Sequence, residues 1–228
     1  MKIVETFLSI AGEGQLIGQP SVFIRAFGCD YACRGCDTDY AKVGAYKELT
    51  PDEIVEQVIE LSSGEPILVT LTGGNPCLQD FSEVILQLHG RNYPVAVETQ
   101  GSIACSWLGD LDFLTLSPKS ASSGNMTNFA QVVGCIESFG KTRGDVICVK
   151  IVIADAGDLD YAQSMFSELS AYMPYSRISQ VVQPFNGSTN PHLAELQQNY
   201  ARLVEVVLKR KMFNVRVLPQ MHRFGGLR

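Results

Sequence analysis

The sequence predicts an α/β fold built on a parallel sheet, and three features of its patterning carry that expectation. Short apolar runs recur along the chain, as strands buried on both faces require. Amphipathic stretches of helical period separate most of them. Polar or glycine-rich clusters follow the runs, and parallel sheets hold their ligands at the carboxyl ends of their strands.

Taken in order, Val22 to Phe27 is the first such strand and delivers the chain into a cysteine-rich loop. A helix follows, with Thr50 as N-cap, Pro51 at its first position, Glu53 closing a capping box, and Ile54, Val55, Val58, Ile59 and Leu61 as its apolar stripe. Ile67 to Leu71 is the next strand. Further strands are expected at 95–97, 113–116, 146–152 and 178–182, with a last one at 215–217. Helical patterns lie at 81–88, 128–139, 159–172 and 191–209, the last with Asn190 as N-cap. No repeat, linker or low-complexity tract interrupts the chain, so residues 1–228 are expected to form a single domain.

Composition narrows the class. With 228 residues, 46% hydrophobic and 18% charged, the chain can bury a core of its own. Seven cysteines are an odd number for a disulfide framework, Met1 to Glu5 carries no secretory pattern, and no apolar run approaches membrane length. A reducing cytoplasm is the expected location. A formal charge of −6 argues against a nucleic-acid surface, which needs clustered Lys and Arg. A small polar substrate fits better.

Cys29, Cys33 and Cys36 lie at C-x3-C-x2-C spacing in the loop after the first strand. Zinc usually takes four protein ligands, often from two C-x2-C knuckles, and no second knuckle follows. A 4Fe-4S cluster held by three thiolates leaves one iron open. The loop resembles that of the radical S-adenosylmethionine (SAM) enzymes. The resemblance implies a partial TIM-like (β/α) barrel with the cluster at its rim and SAM chelating the open iron. Thr72-Gly73-Gly74-Asn75-Pro76 resembles the family's GGEP motif, with Asn75 in place of the acidic residue, and implies a SAM contact at Gly74. Glu98, after the third strand, resembles a further SAM contact. Gly35 stands where the family often carries an aromatic residue before the third cysteine.

Within that superfamily, Ile10-Ala11-Gly12-Glu13-Gly14 and Arg25 resemble the LQGEG segment and strand arginine of the 7-carboxy-7-deazaguanine synthase family. Cys36-Asp37-Thr38 resembles its CDT tail, Leu116-Ser117-Pro118-Lys119 its LSPK segment, and Gln220-Met221-His222-Arg223-Phe224 its QxHK-aromatic terminus. The resemblance implies conversion of 6-carboxy-5,6,7,8-tetrahydropterin to 7-carboxy-7-deazaguanine with loss of ammonia, on the way to queuosine. It further implies Mg2+ on the Thr38 hydroxyl, and SAM contacts at Gly35, Gly74, Glu98, Ser117, Pro118, Lys119 and Gln183. Substrate contacts are implied at Ile10, Ala11, Gly12, Glu13, Arg25, Thr72, His222 and the terminal carboxylate of Arg228. A homodimer and an electron donor such as flavodoxin complete the implied set.

Two other readings stand beside this one. Glycyl-radical activating enzymes share the cysteine spacing but need a surface for a protein substrate. A zinc-binding interaction module would recruit a fourth ligand such as Cys77 or His222. Cys77, Cys105, Cys135 and Cys148 are otherwise assigned to packing, Cys148 most clearly because it sits in an apolar strand.

Overall fold

The computed structural model describes residues 1–141, 146–174, 178–187 and 192–227. Its strands are β1 (Lys2–Ile10), β2 (Pro20–Ala26), β3 (Lys47–Glu48), β4 (Leu68–Gly73), β5 (Val95–Thr99), β6 (Phe113–Leu116), β7 (Ile147–Ile153), β8 (Ile178–Pro184) and β9 (Arg216–Val217). They form one sheet in the order β3-β1-β2-β4-β5-β6-β7-β8-β9. From β2 to β9 each strand pairs in parallel with the next. Because β-α-β crossovers are right-handed, an unreversed strand order puts the crossover helices on one face, and the opposite face curls inward as a partial barrel.

Strand periodicity then sorts the side chains. Val22, Ile24, Val69, Leu71, Val95, Val97, Leu114, Val149 and Ile151 belong to the main core with the helices. Their neighbours of opposite parity face inward: Phe23 and Arg25 on β2, Thr72 on β4, Glu98 on β5, Lys150 on β7 and Gln183 on β8. The innermost apolar cluster is small, with Phe7, Ala11 and Phe23 at its centre and Leu16 packed against it. The last inward-facing residue of each strand is therefore left to line whatever lies above that cluster.

The N-terminal strand and its small partner are additions to the predicted topology. β1 runs antiparallel to both β2 and β3, so the sheet is mixed rather than wholly parallel. A register shift between Ile3 and Glu5 explains why alternation does not reveal β1. Ile3 and Phe7 have equal parity, yet Ile3 joins the main core and Phe7 the inner cluster, since the bulge turns the strand over between them.

The helices are α1 (Tyr40–Val43), α2 (Pro51–Leu61), α3 (Ser82–His89), α4 (Phe129–Phe139), α5 (Ala156–Tyr172), α6 (Leu193–Lys209) and α7 (Met221–Phe224). The expected capping box of α2 is present in both halves: Glu53 N–H donates to Thr50 Oγ1 at 3.2 Å, and Thr50 N–H donates to Glu53 at 2.7 Å. α4 starts from an equivalent Asn128–Gln131 box. α5 begins three residues earlier than predicted, because Asp155 caps it by accepting from Asp158 N–H. α6 begins at Leu193 with His192 in the cap position, while the expected cap Asn190 and first residue Pro191 lie outside the described residues. Among the described residues, no helix is long and apolar enough to cross a membrane.

Between β1 and β2 the chain makes a 3-10 turn, Gly14–Leu16. Ala11 N–H donates to Gln19 O and Gly18 N–H to Ala11 O, both at 2.7 Å, and these bonds close the loop. Gly14 has φ +65°, and a Cβ there would meet Thr115 and Cys148 at 3.5 and 3.6 Å. The loop therefore runs inside the partial barrel against β6 and β7.

Candidate active site at the carboxyl ends of the strands

The rim of the partial barrel encloses a cavity of about 410 Å³. The three loop cysteines line it, together with most residues singled out from the sequence. Ile10, Gly12, Glu13, Arg25, Gly35, Thr38, Thr72, Gly74, Glu98, Ser117, Pro118, Lys119, Gln183 and His222 all contribute to its walls. Ala11 does not. Its methyl is buried in the inner cluster with Phe7 and Phe23, so only its neighbours reach the cavity. Arg228 lies outside the described residues.

One wall is built on the cysteine loop. Gly28 carries φ +100° at the exit from β2, its N–H donating to Ala41 O and its carbonyl accepting from Asn75 N–H. Gly73 and Gly74 come so close that a Cβ would meet Ala26 O at 2.3 Å and Gly28 O at 2.0 Å, respectively. Only glycine permits that approach. Asn75, fully buried, donates from Nδ2 to Asp30 Oδ1 at 2.8 Å and to Ser102 Oγ at 3.1 Å, and accepts from Thr99 Oγ1 at 2.8 Å. Gln100 Nε2 donates to the same Asp30 oxygen at 2.6 Å. A glutamate at 75 would confront the Asp30 carboxylate, so the neutral amide suits a loop that carries its acid beside Cys29.

The sulfurs are free thiols with amide donors at hand: Gln100 Nε2 at 3.7 Å from Cys29 and Asn125 Nδ2 at 3.4 Å from Cys33. Burial, with the neighbouring acids and thiolates, pushes Cys29 and Cys36 above the ordinary thiol range. A metal centre that takes one thiolate per iron relieves that repulsion. Among the described residues no three His, Cys, Asp or Glu side chains converge on a point for a single ion. A cuboid cluster needs its cysteines spread around it instead. The Oε1 of Gln183, on a residue 1% exposed in the cavity wall, has no hydrogen-bond partner and requires a donor from an occupant. The residues present therefore fit a cluster with a polar ligand beside it.

Gly35 has φ +64°, and a Cβ on it would stand 2.5 Å from the ring of Phe185. The ring absent before the third cysteine is thus supplied from the far side, by the residue after β8. Below it, Lys119 Nζ donates to Ser117 Oγ at 3.1 Å, and burial together with the charge of Lys150 lowers the Lys119 pKa. Asp158 of α5 fixes the loop after β6, accepting from Ser120 Oγ at 2.6 Å and Ser122 Oγ at 2.9 Å.

The opposite wall is built on Glu13. Its carboxylate is paired with the Lys150 ammonium and accepts from Gln220 Nε2 at 2.7 Å. Despite burial, Lys150 and then His222 hold Glu13 far below the usual carboxylate range, while burial pushes Glu98 up. Asn186 Nδ2 donates to Gln220 Oε1 at 2.7 Å. Met221 N–H donates to Gly12 O at 2.8 Å, which brings the His222 ring over Gly12, where a Cβ would meet Nδ1 at 2.0 Å. Burial keeps that imidazole below its ordinary value, against the opposing pull of Glu13 and Asp37. Arg25 Nε donates to Glu5 at 2.8 Å beneath the ring of Tyr40. Thr38 Oγ1 donates to Asp37 Oδ1 at 3.0 Å, and Arg223 reaches Asp37 Oδ2 at 3.5 Å, so Asp37 links the two walls.

Lys150, Gln220, Asn186, Phe185, Gln100 and Asp37 were not among the expected site residues. Asp37 and Gln220 stand within the quoted Cys36-Asp37-Thr38 and Gln220-Met221-His222-Arg223-Phe224 segments, and Lys150 left a signal of its own, a lysine inside an apolar strand, which has to face a polar interior or an ion partner.

Over residues 23–153 the sequence matches the Radical SAM superfamily. It is 32% identical over 225 residues to a 7-carboxy-7-deazaguanine synthase of Bacillus cereus, covering 94% of this chain and 91% of that protein. A 7-carboxy-7-deazaguanine synthase of Bacillus subtilis is 32% identical over 228 residues, covering 94% and 90%. The fold is similar to a crystal structure of QueE from Escherichia coli, with a TM-score of 0.67 and 21% identity over 95% of this chain and 92% of that one.

Proposed function

Because the chain belongs to the 7-carboxy-7-deazaguanine synthase family of the radical SAM superfamily, we propose that its cavity holds two reactants on opposite walls, SAM beside the cysteine loop and the pterin beside Glu13. The protein is a radical SAM lyase of queuosine biosynthesis. It converts 6-carboxy-5,6,7,8-tetrahydropterin to 7-carboxy-7-deazaguanine with loss of ammonia, using a 4Fe-4S cluster and SAM. The zinc-module and glycyl-radical activating readings give way to it. The observation that carries the division of labour is the placement of three free thiols and a buried Glu13–Lys150 pair on one cavity of about 410 Å³.

When bound, the cluster and SAM supply one-electron cleavage of a carbon–sulfur bond and a carbon radical that takes a C–H hydrogen. Cys29, Cys33 and Cys36 would hold the cluster, and Gln100 and Asn125 direct N–H donors at the Cys29 and Cys33 sulfurs. The backbone of Gly74 and the side chains of Glu98, Ser117, Lys119 and Gln183 orient SAM, with Pro118 and Gly35 shaping the wall. The Gln183 oxygen takes a SAM donor. Glu13 offers two acceptor oxygens to the donor edge of the pterin, and Arg25 presents guanidinium donors to its carboxylate. Thr72, His222 and the Ile10–Gly12 backbone fix the ring between them, so that the target carbon is held and water excluded.

Mg2+ is assigned to the Thr38 hydroxyl and the Asp37 carboxylate it touches, hard oxygen donors of the kind that ion selects. The C-terminal carboxylate of Arg228 is assigned to the pterin; Gly226, at φ +62°, and the bond from Leu227 N–H to His222 O at 2.7 Å turn the chain back toward His222. A flavodoxin-type reductant and a homodimer belong to the same proposal.

The test is anaerobic incubation of reconstituted protein with SAM, dithionite, Mg2+ and the carboxytetrahydropterin, with mass spectrometry of the products. Carboxydeazaguanine formed in step with 5′-deoxyadenosine supports the assignment. Release of 5′-deoxyadenosine without a deazapurine would defeat the pterin site. In the same assay Thr38→Ala should weaken the Mg2+ dependence at unchanged iron content, and a C-terminal tag should raise the pterin KM more than an N-terminal one.

A further inference from the structure

Lys150 lies at the floor of the cavity on β7, 5% exposed, and none of the roles assigned to the site uses it. A buried ammonium is tolerated only where it is paired and hydrogen-bonded. Its partner is Glu13, 137 residues away in sequence. Glu13 stands on the loop between β1 and β2, where no long helix or strand fixes its direction. Lys150 engages Oε2 and Gln220 engages Oε1, so both oxygens of the carboxylate are held. Gln220 is itself held by Asn186 from the end of β8. Two elements thus hold the carboxylate directly, β7 and the approach to α7, and the segment after β8 braces the second.

The charges around the pair agree with this role. Glu98 faces Lys150 and Glu13 from β5, Arg25 acts on Glu98 from β2, Asp37 faces it from the cysteine loop, and His222 faces Glu13 from α7. Lys119 lies within the field of Lys150. Lys150 is therefore one cation set between two half-buried carboxylates, and its hydrogen bond goes to Glu13.

We propose that Lys150 is the positioning residue of the substrate loop: clamping Glu13 against Gln220, it fixes the direction in which the carboxylate meets the donor edge of the pterin. This rests on the assignment of Glu13 to the substrate. Lys150 acts through Glu13, to which its hydrogen bond goes, so its loss appears chiefly in pterin KM, and its weaker field at Glu98 and Lys119 leaves a much smaller change in SAM affinity.

The test uses the reconstituted holoenzyme and four forms: wild type, Lys150→Met, Glu13→Gln and the double variant. Lys150→Met keeps the unbranched apolar stem, one atom shorter, and removes the charge. It should raise the pterin KM by about tenfold or more while the SAM Kd moves by less than about twofold. Glu13→Gln should do the same, and the double variant should bind no worse than the poorer single one, because coupled residues are not additive. A pterin KM unchanged in Lys150→Met, a parallel fall in SAM affinity, or additive losses in the double variant would overturn the proposal, the last because it means that Lys150 meets the substrate itself. Should Lys150→Met fail to load its cluster, the comparison moves to Glu13→Gln against the double variant. Equal pterin KM values there support the clamp, and a further tenfold rise refutes it. If wild type makes no deazaguanine, the functional assignment fails; if it does and Lys150→Met matches it, only the clamp fails.

Discussion

The two walls of the cavity are held by different physics. The cysteine wall is fastened by neutral amides on a single carboxylate: Asn75 and Gln100 both donate to Asp30, and glycine backbones pack at van der Waals contact beneath. The Glu13 wall is fastened by a buried ion pair extended through Gln220 to Asn186. The difference follows from what each wall faces. A cluster bound by thiolates already brings concentrated charge, and further full charges beside it would disturb it, so short-range hydrogen bonds and backbone packing are the economical fastening. The pterin presents an edge of N–H donors and needs an acceptor that remains ionised in a dry site, which only a nearby cation secures.

The largest expected effect breaks the first wall outright. Cys33→Ala should abolish both cluster assembly and turnover, since two thiolates do not hold a cuboid cluster with an open iron. Iron content and the visible absorption band of the anaerobically reconstituted variant decide it. The Glu13 wall should survive, leaving a folded protein.

Asn75→Asp tests the amide fastening without changing its shape. It replaces the Nδ2 donor by a second carboxylate against Asp30 and should cost about 3 kcal/mol locally, as a buried hydrogen bond becomes a repulsion. SAM binding measured calorimetrically should weaken by at least about tenfold with the pterin KM nearly unchanged. Equal losses for both ligands would mean that the walls are one mechanical unit.

Gly12→Ala makes the complementary probe on the other wall. Its Cβ would fall 2.0 Å from His222 Nδ1, so the ring and α7 must move. A rise of the pterin KM by about tenfold at constant SAM Kd is expected, which steady-state kinetics would read directly.

The smallest effect concerns Asp158, 1% exposed beside the loop after β6. Asp158 has its pKa lowered below the ordinary 3.8: burial opposes ionisation, but hydrogen bonds led by Ser120 outweigh it. A folded-state pKa below the unfolded one gives stability that is present above pH 3.8 and is lost as pH falls through the folded value. Asp158→Asn should therefore flatten the acid limb of the stability curve and lower stability at neutral pH modestly. Denaturant titrations at several pH values between 3 and 7 provide the check, and parallel curves for the two proteins would contradict it.

What the sequence by itself determined was whatever is written in neighbouring residues. The cysteine spacing, the Thr50–Glu53 box, the parity of β2, β4, β5 and β7, and the Gly73-Gly74 turn are local patterns, set by helix and strand periods or by steric limits at one bond. That range covers the cysteine wall, most of which lies within residues 28–100. The tertiary structure alone decided the rest. The bulge in β1 hides its alternation, and the burial of Ala11 depends on the rings of Phe7 on β1, which that bulge brings to the inner face, and Phe23 on β2. Phe185 fills the space over Gly35 from 150 positions further on. The Glu13 wall is joined by contacts 137 and 207 residues apart. Such pairs leave no mark in local sequence, because each residue is ordinary until the partial barrel brings its partner into a place that water cannot reach.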